Sequence, residues 1–438
     1  MVLSLIGIVI AMVFVVVSMF KGLKPLLAGV ICSFIICIFC GVGYEEGIAT
    51  EYAESFATSV RQNLMTFLSC SVLSKVMLNT KCAKVIADGI SRVINPKHAP
   101  ISLFLICFVL RLGGMSVGAY MMTFAIGLYI CKKADYSEDI LLACVVGCCY
   151  TVATFAPMFP SPTNALLQNA FGTSSTAGML SGMVTSVVCA VLILVYQEWT
   201  CRRWKKRGRT FKADYMIART SSSEANADAK EPNFVIAIIP VIVVFVFYNV
   251  FAMSASAAMF LGAFACIILN FRVFTAKQWL ADVTKGAYEG ITPIVALAAM
   301  AGIGGAITVS PLYTWLGTAI GGTGGMDPLI ASAGIASLFA ALLGSANAGI
   351  SACTEILMPA INASVAAGQY SFEAFHRLIA CAAAPWSALP HNGAINSMMA
   401  MFDTDFKRSY TPTIISGFVI PLACTICITL PMTLMGLV

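Results

Sequence analysis

Ala156-Pro157-Met158-Phe159-Pro160-Ser161-Pro162-Thr163-Asn164 is the stretch on which the fold turns. It follows a run, Ile140 to Ala153, that is apolar enough for a bilayer interior. Three prolines in six residues cannot continue a helix, since each lacks an N–H and its ring clashes with the carbonyl four residues back. In lipid every freed backbone group needs another partner, so such a break survives only where protein or a water-filled cavity surrounds it. Ser161, Thr163 and Asn164 place hydroxyl and amide groups at the break. Helix ends with such side chains are the material of a membrane binding site.

The stretch has an echo in Ala384-Pro385-Trp386-Ser387-Ala388-Leu389-Pro390-His391-Asn392-Gly393-Ala394. Pro390 lies 230 positions after Pro160, and Leu342-Leu343-Gly344 keeps the same offset from Leu112-Gly113-Gly114. Two broken segments at matching places in two halves point to a site shared by internal repeats.

Composition agrees with a bilayer environment. Of 438 residues 59% are hydrophobic and 11% charged, against roughly 25% charged in a soluble domain. Mean hydropathy is +0.89. Arg202, Arg203, Lys205, Lys206, Arg207, Arg209 and Lys212 carry seven positive charges, so the rest of a chain of net charge +6 sums to −1. That pattern is a cytoplasmic positive-inside anchor and not a nucleic-acid surface. The 17 cysteines are scattered through apolar runs, where a thiol behaves as a small apolar side chain. Cys148-Cys149 has no CxxC spacing and no histidine nearby, so no metal or other cofactor is expected. The chain offers no HExxH, no GxSxG and no Gly-rich phosphate loop, which argues against an enzyme and against an ATP-driven motor.

A span needs about 20 apolar residues. On that measure Val2–Phe20, read as a retained first span, Pro25–Val42, Met65–Leu78, Ile140–Ala156 and Met179–Trp199 qualify in the first half. Ile101–Ile130 is too long for one span and is interrupted at Arg111–Ser116. The second half repeats the plan with Phe234–Val250, Ala257–Phe271, Ile291–Val309, Leu329–Leu343, Gly349–Ala366, a segment around Phe375–Ala384, and Tyr410–Leu434. Lys21 and Lys24 place the first loop inside and the N-terminus outside. An odd number of crossings in the first half, about seven, gives the second half the opposite orientation. The expected fold is therefore an all-α polytopic membrane protein with two inverted-topology repeats, broken helices and re-entrant hairpins, about 11 to 14 membrane segments in all. Residues 1–200 form the N-terminal repeat, 201–233 a cytoplasmic basic linker and 234–438 the C-terminal repeat. The scheme puts Arg377 outside, against the charge rule. It reads Lys75 and Glu289 as interfacial, and Gly302, Gly304 and Gly305 as close helix packing.

Candidate site residues follow from the breaks. Gly344-Ser345-Ala346-Asn347 ends one segment and starts another with almost no loop. A helix N-terminus there aims unpaired N–H groups and a positive dipole end at an anion. Ser161, Thr163 and Asn164, with His391 and Asn392 in the echo, belong to the same set. His391 also suits a transferred proton, because imidazole titrates nearest neutral pH. Arg111 immediately precedes Leu112-Gly113-Gly114, and its planar fork matches a carboxylate. Glu355 lies about two helical turns past Asn347 in an apolar stretch and is a second candidate proton carrier.

These residues carry a resemblance. The two-half layout, Gly344-Ser345-Ala346-Asn347 entering a new helix, and the Pro-Ser-Pro-Thr and Pro-His-Asn breaks resemble the gluconate permease family (gluconate:proton symporters) of the broader ion transporter superfamily. The likeness runs over nearly the whole chain. It implies proton-coupled uptake of a small organic acid across the inner or plasma membrane by alternating access, with hairpin tips meeting at mid-membrane. The carboxylate contacts it implies fall on Ser345, Asn347, Ser161 and Thr163. Beyond the acid and the lipid, the architecture implies a homodimer by analogy. Sodium is the alternative coupling ion, held by carbonyls at Pro157–Pro162 and Ala388–Asn392. One departure stands out: such permeases carry a glutamate just after the first half's break, where this chain has Ser116-Val117-Gly118-Ala119-Tyr120, and Glu355 follows the second break instead.

Overall fold

A computed structural model describes residues 2–112, 117–159, 161–220, 231–251, 253–273, 275–313, 315 and 326–438. Within these ranges the side chains at 112, 117, 118, 218–220, 249, 255, 273 and 355 are not described. Among the described residues every regular element is helical. The chain is an all-α polytopic membrane protein.

α1 (Val2–Phe20) and α2 (Pro25–Cys40) occupy the first two expected spans. Pro25 stands at the start of α2, where a first-turn N–H would have no intrahelical acceptor. α3 (Ala53–Asn79) starts well before Met65 and takes in exposed Glu54 and Arg61, residues that a hydropathy criterion excludes. α4 (Cys82–Val93) is absent from the expected spans, because it is amphipathic and too short to cross a bilayer. Cys82, Ala83, Val85, Ile86 and Ala87 are buried, while Lys84, Asp88 and Arg92 recur once per turn, the pattern of a one-sided helix. At Asn95-Pro96 the chain bends by 107° into the segment ending at Arg111.

α5 (Ala99–Leu112) and α6 (Val117–Ala134) flank the interruption expected in Ile101–Ile130. The glycines at its centre, Gly113 and Gly114, lie outside the described residues. α7 (Glu138–Phe155) passes through a π-helical turn at Gly147–Val152 and stops before Pro157. Then come α8 (Pro162–Phe171), α9 (Met179–Lys206) and α10 (Asp214–Thr220). α9 extends through Arg202 and Arg203 into the basic stretch. The second half gives α11 (Phe234–Asn249), α12 (Ala255–Leu269), α13 (Ala276–Glu289), α14 (Ile291–Thr308) and α15 (Pro328–Leu343). It closes with α16 (Ala346–Ala366), α17 (Phe372–Ala383), α18 (Gly393–Met401) and α19 (Phe406–Leu434).

Among the described residues five helical stretches are long and apolar enough to cross a bilayer, or up to seven if each bent pair counts as one. Pro25–Cys40, Phe234–Tyr248, Ser256–Leu269 and Pro328–Leu343 are shorter apolar helices. α16 bends by 70° between Thr354 and Ile356. The cause is Pro359, whose ring displaces the carbonyl four residues earlier, that of Glu355.

The chain divides into two compact units, each drawn from both halves of the sequence. The first comprises Met1–Gln62, Tyr150–Ile193 and Val295–Val438, the second Asn63–Cys149 and Leu194–Ile294. In the first unit, Gly302 and Gly305 serve close packing. A Cβ at 302 would lie 2.4 Å from the Tyr52 ring, and one at 305 would lie 2.4 Å from the Glu51 carbonyl and Ser55 Oγ. In the second unit, Lys75 is fully buried with its ammonium 3.3 Å from Glu289 Oε1. The basic stretch is tied down there as well. Arg209 bonds Asp139 at 2.6 Å, Lys205 pairs with Asp135 at 3.3 Å, and the Lys212 amide donates to Glu138 at 3.0 Å.

Candidate functional site

The first break forms as the prolines dictate. Ala156 precedes a proline and is extended (φ −68°, ψ 124°), the conformation that proline imposes on its predecessor. Met158 turns back with φ 63°, and its amide donates to the Ser175 carbonyl at 2.7 Å. Ser161 is extended and starts α8 with Pro162 at the first helical position. Its hydroxyl accepts from the Asn164 amide at 3.1 Å, satisfying one of the four orphan donors of the first turn. Asn164 is buried and donates through Nδ2 to the Phe159 carbonyl at 3.4 Å. Its Oδ1 has no hydrogen-bond partner among the described residues.

The second break is built differently. α15 ends at Gly344, whose φ of 61° is left-handed. The chain re-enters a helix at once, with Ser345 as N-cap of α16 accepting from the Ala348 amide at 3.4 Å. The Ala346 amide, another first-turn donor, goes to Ser387 Oγ at 3.0 Å. In the echo, α17 runs into a single 3-10 turn, Ala384–Ala388, and Asn392 then caps α18 by accepting from the Ile395 amide at 2.9 Å. Asn392 Nδ2 donates to the Gly344 carbonyl. His391 Nε2 lies 2.9 Å from the Ala341 carbonyl; since a carbonyl only accepts, Nε2 carries the proton and the ring satisfies an orphan acceptor of α15.

One contact ties the breaks together. Thr163 Oγ1 donates to Asn347 Oδ1 at 2.7 Å. Each residue is the second of its helix, so the contact puts the first turns of α8 and α16 side by side. The Asn392–Gly344 bond adds α18. Three capped helix N-termini thus meet within the first unit, each the equivalent of roughly +0.5 elementary charge. Ser161, Thr163, Asn164, His391 and Asn392 are buried there, and Ser345 and Asn347 half-buried. The arrangement suits an anion small enough to accept from backbone amides, hydroxyls and carboxamides together.

The expected residues divide accordingly. Ser161, Thr163, Asn164, Gly344, Ser345, Asn347, His391 and Asn392 all belong to the first unit. Arg111 is buried at the end of α5 in the second. Glu355 sits at the kink of α16, and its side chain lies outside the described residues. Sequence reasoning passed over Ser387 and Asn396. Asn396 donates to the Pro390 and Asn392 carbonyls at 2.7 and 2.8 Å. Its spacing, one turn after Asn392, was the available signal.

Arg377 lies within α17 and is wholly buried, donating to the carbonyls of Thr154, Phe155 and Ala177. Charge counting treats an arginine as a surface anchor, whereas this one is held by helix-end carbonyls inside the protein.

Interrupted membrane helices whose capped N-termini face one another define a membrane transporter. Residues 1–384 match the GntP family permeases, and the chain belongs to that family. A protein of Bacillus subtilis (strain 168) described as the uncharacterized transporter YxjC is 22% identical over 450 residues, covering 93% of this chain and 94% of that protein. Ser387, His391, Asn392 and Asn396 lie beyond the matched range.

Proposed function

We propose that this permease is a symporter that takes up a small organic acid, a gluconate-like sugar acid or a hydroxy or short carboxylate, driven by protons. The observation that carries the proposal is the joining of α8 and α16 at Thr163–Asn347 with α18 alongside. A carboxylate placed at these N-termini gains charge-assisted bonds from first-turn amides and from Ser345, Asn347, Ser161 and Thr163. A hydroxylated tail finds further partners in Asn164 and Asn392. Arg111 is a further carboxylate candidate, and His391 and Glu355 are the proposed proton carriers.

Inverted repeats and alternating access belong to the same proposal. One pair of helix starts recurs at an offset of 231: α8 and α18 are capped by Ser161 and Asn392. The offset of 230 between the paired sequence breaks supports the same reading. One repeat-derived bundle moves against the other around the acid, in the inner or plasma membrane, with the 201–233 linker on the cytoplasmic side and a homodimer as the assembly. Sodium in place of the proton is the second coupling mode, favoured by the backbone carbonyls that the breaks free from helical bonding.

Binding tests the site before transport does. Purified protein titrated calorimetrically with gluconate is expected to release heat with a saturable isotherm, and glucose, equal in hydroxyls but uncharged, is expected to give none. Equal responses to both sugars remove the carboxylate from the proposal.

A further inference from the structure

Arg377 is the one arginine or lysine among the described, fully buried residues of the first unit. Among the described residues no carboxylate pairs with it. Its guanidinium instead reaches backbone carbonyls. Nη1 donates to Thr154 at 3.3 Å and Phe155 at 2.8 Å; Nε and Nη2 donate to Ala177 at 3.1 and 2.6 Å.

The chemistry of the break explains the need. Thr154 and Phe155 are the last residues of α7, and in a helix the amides three and four positions on would serve the Thr154 carbonyl. The first of those positions is Pro157, which has no N–H. The second is Met158, whose amide is committed to Ser175. The guanidinium supplies the missing donors and sets a positive charge on the negative end of the helix. With the same fork it holds Ala177, in the connection that leads away from α8. The neighbouring His376 Nδ1 lies 2.6 Å from Thr173 Oγ1 in that connection. Space for the side chain is made by glycine: a Cβ at Gly178 would lie 2.4 Å from Arg377 Cβ, and one at Gly182 would lie 2.9 Å from Arg377 Nε and from the Phe155 carbonyl. α17, which carries Arg377, is followed by the 3-10 turn Ala384–Ala388 and then Pro390-His391-Asn392.

We propose that Arg377 is the positioning residue of the first break: its planar fork fixes the end of α7 to the connection beyond α8, and so sets where the α8 N-terminus, with Ser161 and Thr163, points. This inference rests on the proposed substrate site for its transport consequence but not for its geometric one. The fork, more than the charge, does this. A lysine keeps the charge but offers one ammonium in place of a planar array able to reach both sides.

The test uses full-length protein carrying Arg377→Lys, and separately Gly182→Ala, which alters no polar group. Hydrogen exchange in detergent is followed by mass spectrometry, beside the kinetics of gluconate uptake into proteoliposomes. Both variants are expected to raise exchange across residues 153–171 at least tenfold with no change over residues 2–40. Both are expected to raise KM at least tenfold, with the maximal rate per folded molecule within twofold of the parent. Parental exchange in Arg377→Lys overturns the proposal, as does an unchanged KM with a maximal rate that merely follows the folded amount. Should Arg377→Lys fail to fold, Gly182→Ala decides by the same criteria. Should the parent transport no organic acid, exchange alone decides: faster exchange confined to 153–171 supports the clamp, and parental exchange overturns it.

Discussion

Replacing Gly344 by alanine perturbs the second break at its tightest point. Gly344 has φ 61°, and an L-residue there costs about 1–2 kcal/mol. The added Cβ would lie 2.5 Å from His391 Cδ2, 2.8 Å from Nε2 and 3.1 Å from the His391 carbonyl. Backbone cannot yield cheaply, so the ring has to move, at an overpacking cost of about 1–3 kcal/mol. Alanine gives back about 0.4–1 kcal/mol by restricting the unfolded chain. The net expectation is a loss of about 1–5 kcal/mol. Gly334, on the same α15, is the matched control: it is exposed, and nothing lies within 4 Å of the position a Cβ would take. Gly334→Ala is expected to gain about 0.5–1 kcal/mol from helix propensity. Chemical unfolding in one detergent, followed by tryptophan fluorescence, gives both values against the parent. Equal stabilities for the two variants refute the geometry assigned to Gly344 and His391.

Other expectations are simpler. A double-mutant cycle on Thr163→Val and Asn347→Ala should show favourable coupling of about 0.6 kcal/mol, up to about 1.7, as for hydrogen bonds between membrane helices; zero coupling means that α8 and α16 do not meet as described. Ser345→Ala removes an N-cap worth about 1 kcal/mol, and in competition binding it should weaken gluconate at least tenfold; an unchanged affinity leaves Ser345 a cap alone. For the ion pair of buried Lys75 with half-buried Glu289, Glu289→Gln should destabilise more than Lys75→Met, because it removes an acid beside a buried ammonium while Met replaces that ammonium with an apolar chain. The reverse order in unfolding experiments would show that the ammonium is stabilised by other groups.

Much of the fold was legible because the decisive residues act locally. Pro157 removes the amide that would continue α7 and Pro162 suits a first helical position whatever surrounds them, and Ser161 and Ser345 cap helices by accepting from amides three residues further along. Pro390 in the echo likewise shortly precedes the start of a capped helix, α18. Helices whose stability comes from packing were not legible in this way. α4 is amphipathic and short, so a search for apolar runs passes over it, and α3 extends through charged residues that only the exposed side of a helix explains. Charge counting assumes that a cation seeks water, so it does not find the partners of Arg377 and Lys75. One is held by carbonyls freed more than 200 residues earlier in the chain, the other by an acid 214 residues away. No spacing rule reports such partners.

The most direct test of the central claim is the uptake of labelled gluconate by the purified protein in proteoliposomes, with a proton gradient imposed and sodium absent. The predicted result is accumulation above the external concentration, abolished by a protonophore, with a KM raised at least tenfold by Ser345→Ala. Accumulation that requires sodium, or no accumulation of any small acid under either gradient, contradicts it.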